Sequence, residues 1–208
     1  EKNIYWLDAN ANRAIELQET FWYPAYDTSL RDLIKGTNKV RCYSVCLTAI
    51  YFEYIMTLTR MYDSYRRDII CFEGLFKCLS DEFIREFENI NQRKIKNSIH
   101  EAYADYKKLK GSHLVSRIIT IRHKMYAHTA AKFDRKQFAH YGYAEELLSK
   151  TLPLLNSVIN SLQNKKEPYE ELIQYWKNYA IEFWQGLSCG NEIRPINQLS
   201  GQRKVPGH

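Results

Sequence analysis

Apolar residues recur along this chain at three- and four-residue steps almost from end to end, and little interrupts them. In the first stretch Ile4, Leu7, Ala11, Ala14, Ile15 and Leu17 follow that period, which gathers side chains on one face of a helix but scatters them over both faces of a strand. Only eight glycines and five prolines occur in 208 residues, about half the usual share, so long helices meet few breaks. The chain is therefore expected to be all-α, and its short turns fit an up-and-down helical bundle with extra terminal helices.

The period divides into segments. Pro24 is expected to stop the first helix, which starts near Asn3. Gly36-Thr37-Asn38 reads as a turn, after which Val45, Ile50, Tyr54, Ile55, Leu58 and Met61 suggest a second helix ending near Asp63. A short helix over 69–79 follows. Ser80 can cap a helix of about thirty residues to Gly111, with Asp81 and Glu82 complementing its dipole and Phe83, Phe87, Ile95, Ile99, Tyr106 and Leu109 on its apolar side. Ser112 opens a fifth helix with Leu114, Ile118, Ile121 and Met125 in one stripe. A basic irregular stretch covers 132–142, and a helix over about 143–163 carries Pro153, which should kink or split it. Glu167-Pro168 then opens a last helix bearing Leu172, Ile173, Trp176, Ile181 and Trp184. Residues 1–190 are expected to form one domain and 191–208 a polar tail.

Composition narrows the function. No uninterrupted apolar run approaches the ~18 residues of a membrane helix, and no signal segment opens the chain, so no membrane partner is expected and the cytoplasm is assigned. Net charge is +6, which favours a polyanionic partner. Five cysteines without C-x-x-C spacing read as buried thiols, and the pair Cys42 and Cys46 lacks the second pair a zinc site would need. Neither a metal nor another cofactor is expected. The loops and motifs of P-loop, dinucleotide-binding, zinc-hydrolase and serine-hydrolase chemistry are all missing. Glu145-Glu146 and Glu170-Glu171 are sequence neighbours, so each pair diverges by about 100° on a helix and reads as solvated surface charge.

The informative segment is Arg122-His123-Lys124-Met125-Tyr126-Ala127-His128, at the end of the fifth helix. Six residues of ideal helix separate Arg122 from His128 by roughly 120°, with His128 about 50° to one side of the apolar stripe and Arg122 about 70° to the other. His123 points away from the stripe. An arginine beside a buried stripe is costly to desolvate unless an anion meets it. A histidine in the same cleft can take and give a proton near neutrality. Together they suit metal-free RNA cleavage, in which a 2′-hydroxyl attacks the adjacent phosphorus while Arg122 balances charge on the phosphoryl oxygens.

This stretch, R-H-K-M-Y-A-H followed by a polar basic loop, resembles the signature of the HEPN superfamily, and specifically its abortive-infection AbiU-like branch. That signature is an Arg, a polar residue beside it, and a His after four to six intervening residues on the last core helix. Arg122, His123 and His128 match it with five intervening residues, and T-L-T-R-M-Y-D at 57–63 is similar to the branch's second core helix. The resemblance covers roughly residues 40–165. It implies a helical bundle that pairs two-fold, so that two Arg-His pairs converge in a composite cleft, and a metal-independent ribonuclease of toxin-antitoxin or antiphage systems. His123 would support the catalytic pair, and many relatives have an antitoxin of nucleotidyltransferase type.

Lys124, with Lys132, Arg135 and Lys136 directly after the motif, is where RNA contacts are expected first. Asp63 is the candidate supporting acid. The competing reading is an interior ion pair of Arg122 with Asp63 or Glu53 beside a hydrogen-bonded core histidine, in a non-catalytic dimerisation or nucleotide-binding module. Tyr169, Tyr175, Trp176 and Trp184 could stack bases, though at helical spacing they also read as core.

Overall fold

The computed structural model describes residues 2–35, 39–64, 70–79, 90–127 and 141–189. Within them lie eight helices and no strand: α1 (Lys2–Tyr26), α2 (Thr28–Ile34), α3 (Lys39–Tyr62), α4 (Phe72–Cys78), α5 (Ile90–Lys110), α6 (His113–Ala127), α7 (Tyr141–Gln163) and α8 (Tyr169–Cys189). The all-α bundle expected from the period is the fold observed. Two compact units divide the chain, one from residues 1–15 and 52–169, the other from 16–51 and 170–208.

The first unit holds the motif helix. Helices α5, α6 and α7 pack against one another. Leu114, Val115, Ile118 and Met125 of α6 are buried, as are Ile99, Ala102 and Tyr106 of α5, and Leu147, Leu148, Leu155 and Val158 of α7. The two-residue link at Gly111-Ser112 turns α5 into α6, and the Ser112 hydroxyl accepts from the Val115 N–H at 3.4 Å, at the start of the helix the sequence opens there. Tyr62 ends α3 fully buried, its ring against Phe72 and Tyr106. Its hydroxyl lies 2.7 Å from that of Thr151, which itself donates to the Leu147 carbonyl, so the Tyr62 hydroxyl is the donor between them. Helix α7 runs through Pro153 unsplit and ends at Gln163, before Asn164, whose φ of 50° is the left-handed conformation asparagine tolerates. Asn156 then clasps the turn, accepting from the Glu167 N–H and donating to its carbonyl.

In the second unit Leu30, Ala180 and Trp184 form a buried centre with Tyr23, Tyr43, Leu47 and Ile50 against it. Here Pro24 does not stop the first helix, which continues to Tyr26. A proline inside a helix removes the N–H that would bond the carbonyl four residues back and pushes that carbonyl aside. The carbonyl is that of Thr20, and the Trp184 indole N–H donates to it at 2.8 Å. A tertiary donor thus replaces the missing one. The chain then breaks at Asp27, whose carboxylate accepts from the Ser29 and Leu30 N–H groups and caps the short α2, an element not separated in the sequence.

Other expectations need correction. Val45 is 63% exposed, because in the first half of α3 only the face carrying Tyr43, Leu47 and Ile50 meets the core. Three of the four described thiols, Cys42, Cys46 and Cys78, are exposed and only Cys71 is buried. Among the described helices α3 alone is long and apolar enough to cross a membrane. Its residues Tyr51, Tyr54, Ile55, Leu58, Met61 and Tyr62 are nonetheless buried within the protein. Ser80, Phe83 and Phe87 of the expected fourth helix lie outside the described residues, as does the Gly36–Asn38 turn.

Candidate functional site

Arg122 and Asp63 meet. Nη1 of Arg122 lies 2.7 Å from Oδ1 of Asp63, and the two side chains are only 17% and 22% exposed. They come from positions 59 residues apart, so the contact is made by the fold and not by a helix turn.

Each partner's position has a local cause. On α6, Val115 is as deeply buried as Ile118, so the buried arc is wider than the stripe of Leu114, Ile118, Ile121 and Met125 alone; Ile121 itself is half-buried. Seven residues of helix return a side chain to within about 20°, which stacks Arg122 two turns above Val115 and well inside that arc. Asp63 immediately follows Tyr62, and its N–H bonds back to the Arg60 carbonyl at 3.4 Å in a tightened last turn. A carboxylate there faces the negative end of the α3 dipole, an unfavourable place that a cation offsets. Burial of Tyr62 fixes where α3 ends, and so where this carboxylate stands.

The rest of α6 divides by face. His123 and Lys124 are exposed, together with Ser116, Arg117 and Thr120, so a polar and basic surface runs along the outside of the helix. Arg117 donates through Nε to Nε2 of His113 at 3.0 Å and lies over the Tyr143 ring. Glu53, the other acid considered for Arg122, pairs with Arg60 at 3.5 Å on the surface instead. On α5, Lys110 bonds Glu73 at 2.6 Å and Lys107 sits 4.2 Å from the centre of the Tyr103 ring.

Of the site residues expected from sequence, the structure brings Arg122 and Asp63 together and leaves His123 and Lys124 at the surface of the same helix. His128, Lys132, Arg135 and Lys136 lie outside the described residues. Among the described residues no group of three metal-ligating side chains comes together. The aromatic candidates split: Tyr169 and Trp184 are buried, Trp176 is half-buried and Tyr175 is exposed. Sequence reasoning did not anticipate that Tyr169 donates to Asp8 at 2.6 Å. Burial, against that hydrogen bond, holds the Asp8 carboxyl above its ordinary range.

The sequence matches the family model of HEPN type described as AbiU2 over residues 4–183, which takes in the first and last helices beyond the 40–165 stretch carrying the motif resemblance. No curated protein and no solved structure matches the chain.

Proposed function

The chain belongs to the HEPN-type abortive-infection AbiU2 family, and on that footing we propose that it is a metal-independent endoribonuclease acting in antiphage or toxin-antitoxin defence. In this reading His128 exchanges the proton of the attacking 2′-hydroxyl or of the leaving oxygen, and Arg122 stabilises charge on the phosphoryl oxygens. Asp63 holds the guanidinium, His123 supports the pair, and Lys124, Lys132, Arg135 and Lys136 guide the RNA. The protein works as a two-fold homodimer, because one Arg and one His diverging by about 120° line only one wall of a cleft and a second copy supplies the other. A partner antitoxin of nucleotidyltransferase type would silence it.

The observation that supports this reading is the position of Arg122. A guanidinium stands in the largely buried arc of the motif helix, where only a counter-anion makes it tolerable, and it carries N–H donors beyond the one given to Asp63. The same contact favours a second reading, in which Asp63 neutralises Arg122 for good and the bundle is a non-catalytic dimerisation or nucleotide-binding module. Purified protein incubated with structured RNA in excess chelator separates the two. Products ending in 2′,3′-cyclic phosphate, lost in His128→Ala, are expected. Intact RNA at every protein concentration supports the module, and cleavage that survives His128→Ala removes that residue from the mechanism.

A further inference from the structure

We infer that Asp63 is a built-in occupant of the anion position at Arg122, and that it makes the site selective for polynucleotides over single phosphates and mononucleotides. The inference rests on the reading of Arg122 as a phosphate-binding residue and adds what decides which phosphates it takes.

The contact is one-armed: among the described residues the guanidinium gives Nη1 to Oδ1 of Asp63 and nothing else. Its planar fork has donors left for a second anion. That anion would stand beside a carboxylate already 2.7 Å from the same guanidinium, so it must share the cation against like-charge repulsion or displace Asp63. Displacement is hard for a small ligand. Asp63 is tethered, its backbone held by the Arg60 carbonyl and by the buried Tyr62 before it. A tethered group competes at an effective concentration of millimolar or above, whereas a free phosphate competes only at its own concentration. Carboxylate and cation are also both mostly out of water, where screening by salt is weak.

A polynucleotide meets different conditions. Its phosphates arrive together, and those not at Arg122 meet a protein whose net charge is +6. The loss at the Asp63 contact is then spread over several gains, and one chain of phosphates does what one phosphate cannot. The acid thereby excludes the abundant inorganic phosphate and nucleoside monophosphates that would otherwise fill a bare, half-buried arginine.

The test compares wild type with Asp63→Asn, which keeps shape and removes charge, and Asp63→Glu, which keeps charge. Calorimetric titration and thermal shift are read with inorganic phosphate, with adenosine monophosphate and with a short 2′-O-methyl oligoribonucleotide that cannot be cut. Wild type and Asp63→Glu should bind the oligomer and ignore both small anions. Asp63→Asn should bind phosphate about tenfold or more tightly than wild type, the effect of removing a competing charge, and lose that gain when Arg122→Gln is added. Wild type that binds phosphate through Arg122 overturns the proposal, whether or not Asp63→Asn folds. So does a folded Asp63→Asn protein with unchanged phosphate affinity, and so does an oligomer ignored by every variant. Cleavage is scored separately on ordinary RNA: selective binding without cleavage refutes the ribonuclease reading and leaves the role of Asp63 standing.

Discussion

Breaking the Arg122–Asp63 contact from either end should destabilise the fold by different amounts, and the difference can be worked from where each charge is left. With side chains 17% and 22% exposed, the pair lies between surface pairs, worth about 0–1 kcal/mol, and fully buried ones, where removing one partner costs about 3–5 kcal/mol. Arg122→Met leaves the Asp63 carboxylate without its partner at the C-terminal end of α3, where the helix dipole adds about 0.3–1 kcal/mol of repulsion. A loss of about 2–3 kcal/mol is expected for that change. Asp63→Asn instead leaves a guanidinium beside the last α3 carbonyls, which partly replace the lost carboxylate, and should cost about 1–2 kcal/mol. The double variant should fall short of the sum by about 1–2 kcal/mol. Urea unfolding at neutral pH followed by circular dichroism measures all three, and the coupling should shrink only modestly at high salt. Equal costs at both ends would refute the dipole argument. Additive costs would show that the two charges do not interact in solution.

Four further outcomes follow from other contacts. Trp184→Phe deprives the Thr20 carbonyl of its donor and narrows a buried ring, a loss of about 2–4 kcal/mol; in a Pro24→Ala background the new backbone N–H should take up that carbonyl and reduce the loss by about 1 kcal/mol, and strict additivity would rule this out. Asp8 and Asp27 should move stability with pH in opposite senses. The Asp8 carboxyl is raised above its ordinary value chiefly by burial, so its ionised form weakens the fold; Asp8→Asn should raise the urea midpoint at neutral pH, with the gain vanishing as pH falls below the carboxyl's unfolded value near 4. For Asp27 burial acts upward, but hydrogen bonds from Ser29, Tyr23 and the α2 N–H groups outweigh it and hold the carboxyl low; its contribution is full above pH ~4 and lost as pH falls through the folded value, so Asp27→Ala should cost about 1 kcal/mol at neutrality and little at strongly acid pH. Met125→Glu sets a carboxylate into the buried face of α6 and should lower stability by about 3 kcal/mol or more with loss of near-ultraviolet dichroism; a melting curve like wild type would put that side chain at the surface.

The helices were legible because burial imposes a period and this sequence keeps it. Ile4, Leu7, Ala11, Ala14, Ile15 and Leu17, chosen by spacing alone, are all buried, and so are Leu114, Ile118 and Met125. What escaped depended on groups distant in sequence. A proline reads locally as a stop, and nothing near Pro24 announces the indole 160 residues away that takes over the Thr20 carbonyl. Val45 carries the right residue type at helical spacing, yet spacing does not say which face a neighbouring helix will cover. The short α2 was missed although its cap, Asp27, is an ordinary N-cap residue, because seven helical residues barely register as a period.

The site shows the same division more sharply. Helix geometry put Arg122 beside the core and His123 outside it, from the stripe on one helix alone, and the exposures agree. That an arginine so placed needs an anion follows from desolvation. The anion's identity does not, because Asp63 and Glu53 both belong to the α3 region and either could serve on charge. What decides between them is packing. Met61 and Tyr62 are driven into the core, which fixes the end of α3 and brings the next residue up against α6, while Glu53 stays at the surface with Arg60. The acid that holds the motif arginine is thus placed by apolar burial one residue earlier. Loosening the Tyr62 anchor, for example with Tyr62→Ala, should therefore weaken the Arg122–Asp63 coupling although neither charge is altered.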